Sequence, residues 1–288
     1  MQTIVISINN IKSINSIVLK IEKFSKDNFE LENNFGLNNT QEKLNNQTCN
    51  LKFENVNFNI NSQTIINNFN FEFKSGKKYL IIGMNGSGKS SIFKVLKKWY
   101  RLSTGDIYIN NKNINIMFGN EISRYISYIN ENVSLFSGSI RDNSSLYRHY
   151  DDNDLELVKT QAKLKLDLDK NIIDEGRNIS SGEQRKIEIA RSLLKYVPCI
   201  VFDEVISTLD IESAFEIEKM VLSFDNKTII VVSHNFSGKL VNKYDEILIM
   251  HSGKLVDHGT FDELIERNEY FNKICDIKFG DITKNFLK

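Results

Sequence analysis

The stretch that most constrains the fold of this chain is YLIIGMNGSGKSS, residues 79–91. It begins with an apolar run, continues with a loop that contains three glycines, and ends in Lys-Ser-Ser at the start of an amphipathic segment. Glycines let a backbone turn its N–H groups inward, because no Cβ atoms stand in the way. Such N–H groups, placed before a helix N-terminus, can bind an anion. The stretch therefore predicts a strand, an anion-binding loop and a helix.

The spacing within this loop is that of a phosphate-binding loop. Residues 83–90 fit the pattern Gly-x-x-x-x-Gly-Lys-Ser between a predicted strand and a predicted helix. We expect Lys89 to reach the β and γ phosphates of a nucleotide, and the Ser90 hydroxyl to ligate Mg²⁺. The residues predicted to bind the nucleotide phosphates are Gly83, Asn85, Gly86, Ser87, Gly88, Lys89, Ser90 and Ser91.

Hydrophobic patterning predicts an α/β fold. Tyr79 to Ile82, Cys199 to Phe202 and Ile229 to Val232 are continuously apolar, which is typical of parallel strands covered by helices on both faces. LKFENVNFNI and FNFEF alternate apolar and polar residues, as half-buried antiparallel strands do. Residues near 150–172 and 182–196 have helical spacing. We expect a P-loop NTPase with a central, mostly parallel sheet, an antiparallel β subdomain and a helical subdomain inserted at about 122–196.

The N-terminal region has a different pattern. Residues 1–24 place isoleucines and other apolar residues three or four apart, which predicts an amphipathic helix. Its apolar stripe would pack either on the body of this chain or on another protein, and the sequence leaves both open. Residues 25–49 are polar and rich in asparagine, so they are interpreted as a linker. The main domain is predicted to cover 50–288.

Composition narrows the partners and the compartment. Lys+Arg and Asp+Glu both total 37, so no strong net charge favours nucleic acid as a partner. No apolar run reaches the roughly 18 residues that span a bilayer. The three cysteines, Cys49, Cys199 and Cys275, are odd in number and have no metal-like spacing, which favours a reducing compartment. We expect a cytoplasmic protein.

Two adjacent carboxylates end a predicted buried strand. The run CIVFDE is apolar up to Asp203 and Glu204. Asp203 can hold Mg²⁺ through water, and Glu204 is placed to polarise an attacking water. A solvated strand edge is the alternative, but the preceding phosphate loop favours a hydrolytic site.

Three more motifs complete a set that resembles the ATP-binding cassette (ABC) ATPases over about residues 50–275. They are NISSGEQRKIEIARSLL before the acidic strand, STLD after it, and IIVVSHN at the end of another apolar run. The resemblance implies that Ser180 and Gly182 form the signature loop and that Asp210 lies in a loop contacting a second cassette. It also implies that His234 is a switch histidine at the γ-phosphate. The implied catalytic residues are then Glu204, His234 and Lys89.

Within that family, ISYINENVSLFSGSIRDN is similar to exporter-type cassettes, most closely over residues 135–143. The resemblance implies ATP and Mg²⁺ as cofactors and a second cassette, identical or not, as a partner. It also implies a membrane-spanning transporter domain, expected on a separate chain. The location implied is the cytosolic face of a membrane.

Three positions depart from the family pattern. Ile60 stands where an aromatic residue stacks on adenine, Glu131 stands where a glutamine ligates Mg²⁺, and Ser181 replaces a signature glycine. We expect slower hydrolysis rather than its loss, because the hydrolytic residues are present. The alternatives are a nucleotide-gated binding module with little turnover, or a soluble ABC ATPase of a non-transport complex.

Overall fold

The secondary structure comes from a computed structural model that describes residues 48–207 and 209–279. The strands are β1 (Leu51–Ile60), β2 (Gln63–Phe73), β3 (Lys78–Gly83), β4 (Thr104–Ile109), β5 (Lys112–Asn113), β6 (Ile126–Ile129), β7 (Gly138–Ser139), β8 (Asn171–Ile172), β9 (Cys199–Asp203), β10 (Thr228–Val232), β11 (Glu246–His251) and β12 (Lys254–Gly259). The α-helices are α1 (Lys89–Leu96), α2 (Gly119–Tyr125), α3 (Ile140–Ser145), α4 (Asp152–Gln161), α5 (Ser181–Leu194), α6 (Ile211–Leu222), α7 (Phe261–Arg267) and α8 (Glu269–Phe279). Short 3₁₀ turns cover Ile114–Ile116, Asp174–Gly176 and Val241–Lys243.

The central sheet in the described residues has six strands in the order β12-β11-β3-β10-β9-β6. Strands β11, β3, β10, β9 and β6 pair in parallel, and β12 joins the edge as an antiparallel hairpin with β11. The residues of β9 and β10 are all buried, as expected for strands covered on both faces. The predicted α/β class with a mostly parallel sheet is confirmed.

A separate four-stranded sheet has the order β2-β1-β4-β5, with antiparallel pairing throughout. This is the predicted antiparallel β subdomain. Its pairing is irregular near Asn55 and Asn68, which both have positive φ. Asparagine tolerates this conformation better than most residues with a side chain. One apolar core packs this sheet, α1 and one face of the central sheet, and a second core packs the other face.

Helices α3, α4 and α5 pack against one another and form a helical layer. The helix predicted over about 150–172 is shorter than expected, because α4 ends at Gln161. Lys163 has φ 50°, a left-handed conformation that a continuing α-helix does not allow. Leu164 and Leu168 are nevertheless buried, so the leucine spacing reflects packing of a loop. The predicted span of 122–196 also includes β6, which belongs to the central sheet.

The predicted N-terminal helix, 1–24, and all but the last two residues of the predicted linker, 25–49, lie outside the described residues. Within the part of the chain that the structure does describe, no helix is both long enough and apolar enough to cross a bilayer.

Candidate functional site

The loop between β3 and α1 is built on close backbone contacts that only glycine allows. A Cβ atom at Gly83 would lie 2.3 Å from the carbonyl oxygen of Met250, and one at Gly88 would lie 2.6 Å from that of Ile65. Gly88 also has φ 94°, which favours glycine, and α1 begins at the next residue. The N-terminus of α1 therefore opens directly into the loop.

Lys89 is the cation of this loop. Its side chain is 5% exposed, and its Nζ atom donates to the carbonyl oxygens of Gly83 at 2.8 Å and Met84 at 3.1 Å. The same Nζ lies 3.8 Å from Oε1 of Glu204. Burial lowers the pKa of Lys89, and the carboxylates of Glu204 and Asp203 oppose that shift. Its ammonium group is thus positioned between the loop backbone and the acidic end of β9.

Asp203, the last residue of β9, is held by two hydroxyl groups. The Ser90 hydroxyl donates to Oδ1 at 2.7 Å, and the Tyr128 hydroxyl donates to Oδ2. Burial raises the pKa of Asp203, whereas the hydrogen bonds from Ser90 and Tyr128 act to lower it. A carboxylate beside a serine hydroxyl is an oxygen donor set that suits Mg²⁺. The pair fits the metal-binding role predicted for Ser90 and Asp203.

Glu204 follows the strand with φ 54°, an uncommon conformation for a residue with a Cβ atom. Its backbone N–H donates to the carbonyl oxygen of Val232 at 2.8 Å, which fixes this turn against β10. Its Oε2 atom accepts from the Ser207 hydroxyl at 2.6 Å and lies 2.8 Å from Nδ1 of His234. Strained backbone of this kind is frequent at functional sites.

A cavity of about 390 Å³ brings these groups together. Its lining residues are Asn85, Gly86, Ser87, Gly88, Lys89, Ser90, Ser91, Glu131, Glu204, Ser207 and His234. Ser87 is 4% exposed, and its Oγ atom has no hydrogen-bond partner among the described residues. A buried hydroxyl without a partner is costly, so it indicates a site that a ligand with acceptor atoms would complete.

Glu131 reaches this cavity from the loop after β6. Its side chain is exposed, whereas its carbonyl oxygen accepts from the buried guanidinium of Arg185 at 2.8 Å. The predicted metal ligands Ser90 and Glu131 both line the cavity. Asp203 does not line it but accepts a hydrogen bond from the Ser90 hydroxyl.

Four other predicted residues lie outside this cavity, and three of them are near the starts of α5 and α6. Ser180 and Gly182 line a second cavity of about 190 Å³, together with Glu183, Lys186, Glu212, Ser213, Glu216 and Ile217. Ser180 caps α5 by accepting from the Glu183 backbone N–H at 3.2 Å. Asp210 caps α6 by accepting from the Ser213 N–H at 2.9 Å, and such hydrogen bonds lower its pKa.

Ile60 ends β1 and pairs with Gln63, with 40% of its side chain exposed. It is not part of the lining of the first cavity. The structure therefore brings the loop, Glu204, Glu131 and His234 to one cavity, and Asp203 contacts that site through the Ser90 hydroxyl. It does not bring Ile60, the signature residues or Asp210 to the same cavity.

Comparison with known proteins decides the family. Residues 66–207 match the sequence model of the family described as ABC transporter. Over 250 residues, or 83% of this chain, the sequence is 30% identical to an export ATP-binding/permease protein of Rickettsia conorii. The chain belongs to the ABC transporter family. Proteins of this family bind ATP and act in transport.

This ABC transporter chain is also similar to a flippase and to a solved exporter. Over 256 residues it is 28% identical to the ATP-dependent lipid A-core flippase of Haemophilus ducreyi. The chain spans less than half of these relatives, 43% of the Rickettsia protein and 44% of the flippase. It superposes on a bacterial Atm1-family ABC exporter solved with ATP bound, with a TM-score of 0.72 and 24% identity. That match covers 79% of this chain and 42% of the exporter and shows the shared fold.

The exporter-like residues 135–143 of this ABC transporter domain form a compact local structure. Ser139 and Asp142 make a reciprocal cap at the start of α3. The fully buried Asn143 accepts from the Phe136 N–H at 3.0 Å and donates to the carbonyl oxygens of Phe136 and Ser139 at 2.9 and 3.0 Å. These side chains satisfy backbone groups, which gives this stretch a structural role.

Two residues of the site were not predicted from the sequence. Tyr128 contacts Asp203 across the boundary between β6 and β9, and pairing between distant segments leaves no local signal. Ser207 stands in the STLD motif, three residues after Glu204, and that spacing is a signal that could have identified it.

Proposed function

We propose that this chain is the ATP-binding and ATP-hydrolysing part of an exporter-like ABC transporter. The observation that carries the proposal is the grouping around Glu204. Its carboxylate lies 2.8 Å from His234 Nδ1 and 3.8 Å from Lys89 Nζ, on the wall of a cavity that also contains the glycine loop. That arrangement places a base, a cation and a row of backbone N–H groups around one volume.

The loop and Lys89 would bind the phosphates of ATP. The N-terminus of α1 opens into the cavity, so its N–H groups and the loop N–H groups favour negative charge there. The buried Ser87 hydroxyl would gain an acceptor from a phosphate oxygen. Ser90, Asp203 and Glu131 would hold Mg²⁺, which when bound neutralises charge on the transferred phosphoryl group.

Glu204 would accept the proton of a water that attacks the γ-phosphate. Oε2 of Glu204 accepts a hydrogen bond from the Ser207 hydroxyl, and the same oxygen lies 2.8 Å from Nδ1 of His234. Both partners restrict the carboxylate to one orientation, which is what a general base requires. His234 would also contact the γ-phosphate from the rim of the cavity.

The second cavity supports a dimer of cassettes. Ser180 and Gly182 lie outside the first cavity of their own chain, so they would act on nucleotide bound by a partner cassette. Asp210 would contact that partner, and Ile60 would stack on adenine in place of an aromatic ring. The resulting closure would drive a membrane-spanning domain, proposed here to lie on a separate chain, at the cytosolic face of a membrane. The proposed ATPase domain covers 50–288. It follows a polar linker, 25–49, and an amphipathic segment, 1–24, that would pack either on this domain or on a partner.

Steady-state phosphate release from Mg-ATP, measured over a range of protein concentrations, tests the hydrolytic part. We expect a rate that rises faster than linearly with concentration and that Glu204→Gln abolishes. The control is Glu156→Gln, which changes an exposed carboxylate on α4 that lines neither cavity and should leave the rate unchanged. Tight ATP binding with no turnover in the unsubstituted chain would instead favour the nucleotide-gated binding module.

Affinity purification from detergent-solubilised membranes tests the partner. We expect a separate membrane protein to co-purify with this chain. A membrane-spanning domain covalently joined to this chain would contradict the separate-chain part of the proposal. Recovery of soluble partners alone would contradict the transport role and favour a non-transport complex.

A further inference from the structure

Arg185, on α5, is a buried cation with no role in the proposed hydrolysis. Its side chain is 1% exposed, and burial lowers the pKa of the guanidinium. Its NH1 group lies 2.6 Å from Oε2 of Glu188, one helical turn along. Burying a charged pair costs free energy that a well-packed apolar pair would not, so the pair requires an explanation beyond stability.

The guanidinium contacts the loop that carries Glu131. NH1 donates to the carbonyl oxygen of Asn130 at 2.6 Å, and NH2 donates to that of Glu131 at 2.8 Å. Two bonds from one planar group to two successive carbonyls fix both the position and the direction of the backbone. Lysine offers a point charge without this fork and could not reproduce the arrangement.

The same helix forms part of the second cavity. Ser180 caps α5, and Lys186, the residue after Arg185, lines that cavity beside Ser180 and Gly182. At about 1.5 Å of rise per residue, Arg185 lies about 8 Å along the helix axis from the capping residue Ser180. Helix α5 therefore has the signature residues at its N-terminus and contacts the backbone of Glu131 through Arg185.

We propose that Arg185 is a positioning residue that holds the carboxylate of Glu131 in the first cavity, where it completes the Mg²⁺ site, and ties its position to the signature end of α5. The inference rests on the proposed function, because it assigns Glu131 to the metal. It predicts that loss of the guanidinium fork weakens binding of Mg²⁺ more than binding of the nucleotide itself.

The test is a Mg²⁺ titration of nucleotide binding, followed by fluorescence of a non-hydrolysable ATP analogue, so that turnover is not the readout. In Arg185→Lys we expect the half-saturating Mg²⁺ concentration to rise about tenfold, which is the usual effect of losing a residue that orients a metal ligand. Binding of the analogue in EDTA should stay within about twofold of the unsubstituted chain. An unchanged Mg²⁺ midpoint would overturn the proposal.

The matched control is Arg191→Lys. Arg191 lies on the same helix and also donates to backbone carbonyls, that of Asn143 in α3 at 2.9 Å and that of Ser134 at 3.1 Å. Its described hydrogen bonds do not include Glu131. We expect it to lower the unfolding temperature without moving the Mg²⁺ midpoint. An equal shift of the midpoint in both variants would assign the effect to general loosening of α5 and overturn the specific role of Arg185.

A double-substitution cycle tests the route through Glu131. If Arg185 acts by orienting Glu131, then Arg185→Lys should have no further effect on the Mg²⁺ midpoint once Glu131→Ala is present. Additive shifts would overturn this route. If Arg185→Lys does not fold, Arg185→Gln takes its place, because its amide keeps N–H donors but lacks the guanidinium fork. It should also raise the Mg²⁺ midpoint, and an unchanged midpoint would overturn the proposal. Failure of the unsubstituted chain to bind nucleotide at any Mg²⁺ concentration would overturn the proposed function together with this inference.

Discussion

His234 Nδ1 lies 2.8 Å from Oε2 of Glu204, although the two residues are 30 positions apart and follow different strands. Both strands, β9 and β10, are neighbours in the central sheet and end at the same edge. The histidine therefore restricts the carboxylate from one side while the side chain of Ser207 restricts it from another. The two acidic residues at the end of β9 consequently have different surroundings and different proposed roles.

His234→Ala should reduce turnover far more than nucleotide binding. Without the imidazole, the Glu204 carboxylate loses one of the two partners on Oε2 that fix its direction. General acid–base groups typically contribute 10²–10⁴-fold, so we expect kcat to fall at least about 100-fold. Phosphate release and analogue binding, measured on the same preparation, separate the two effects. Unaltered kcat would show that the contact is not used in catalysis.

Ser207→Ala tests a residue that the sequence did not identify. The hydroxyl donates to the Glu204 carboxylate at 2.6 Å and lies 2.9 Å from its carbonyl oxygen. Hydrogen bonds to charged groups contribute about 1.5–3 kcal/mol, and part of this should appear in the barrier. We expect kcat to fall about tenfold, equivalent to about 1.4 kcal/mol, with KM for ATP nearly unchanged. Ser207→Thr keeps the hydroxyl and should recover most of the rate, and a Thr variant as slow as Ala would contradict this reasoning.

Gly88→Ala should damage both stability and binding. The new Cβ atom would lie 2.6 Å from a backbone oxygen of Ile65 at a residue with φ 94°. Gly86→Ala is the matched control, because φ is 80° there but no atom lies within 4 Å of the new Cβ. Strained backbone costs about 1–3 kcal/mol in each variant, and the clash adds to that cost only at Gly88. Gly88→Ala should therefore have a lower unfolding temperature and a lower affinity for the ATP analogue than Gly86→Ala. Equal values in the two variants would be inconsistent with the described loop.

Glu218 should give the folded chain a pH dependence near neutrality. It is 1% exposed on α6, accepts from the Tyr244 hydroxyl at 2.8 Å and the Ser237 N–H at 3.2 Å, and burial raises its pKa from 4.5 to about 7. Because the folded state holds the proton more tightly, the contribution of Glu218 to stability is fully present below pH 4.5 and is lost as pH rises through 7. The loss amounts to about 3 kcal/mol.

Glu218→Gln has no such proton and should remove this part of the pH dependence. Its amide can accept from Ser237 and donate to the Tyr244 oxygen, so the local geometry should persist. Urea unfolding at pH 5 and pH 8.5 measures the difference directly. We expect the variant to be the more stable of the two chains at pH 8.5, and parallel curves for both chains would disprove the assignment.

Much of the site follows from sequence because its parts are local. The glycine loop and Lys89 are recognised from neighbouring residues in the sequence. The apolar runs that end at Phe202 and Val232 predict buried strands, and these strands end at the same edge of the sheet. The contact of Tyr128 with Asp203 depends on which strand pairs with β9, which no local pattern gives. The prediction that the helix continues past Gln161 was wrong for a similar reason. Leucines buried in a loop can have the same spacing as leucines on the buried face of a helix.

The different proposed roles of Asp203 and Glu204 depend on the residue at which β9 ends. Asp203 is the last residue to pair with β10, opposite Val232, and stays buried, whereas Glu204 turns out of the sheet with φ 54°. Side chains alternate between the two faces of a strand. If β9 ended one residue earlier, Asp203 would occupy the turn, and its carboxylate would leave the hydroxyl groups of Ser90 and Tyr128. The chemistry of this site is thus encoded as much in a strand length as in the identity of its acids.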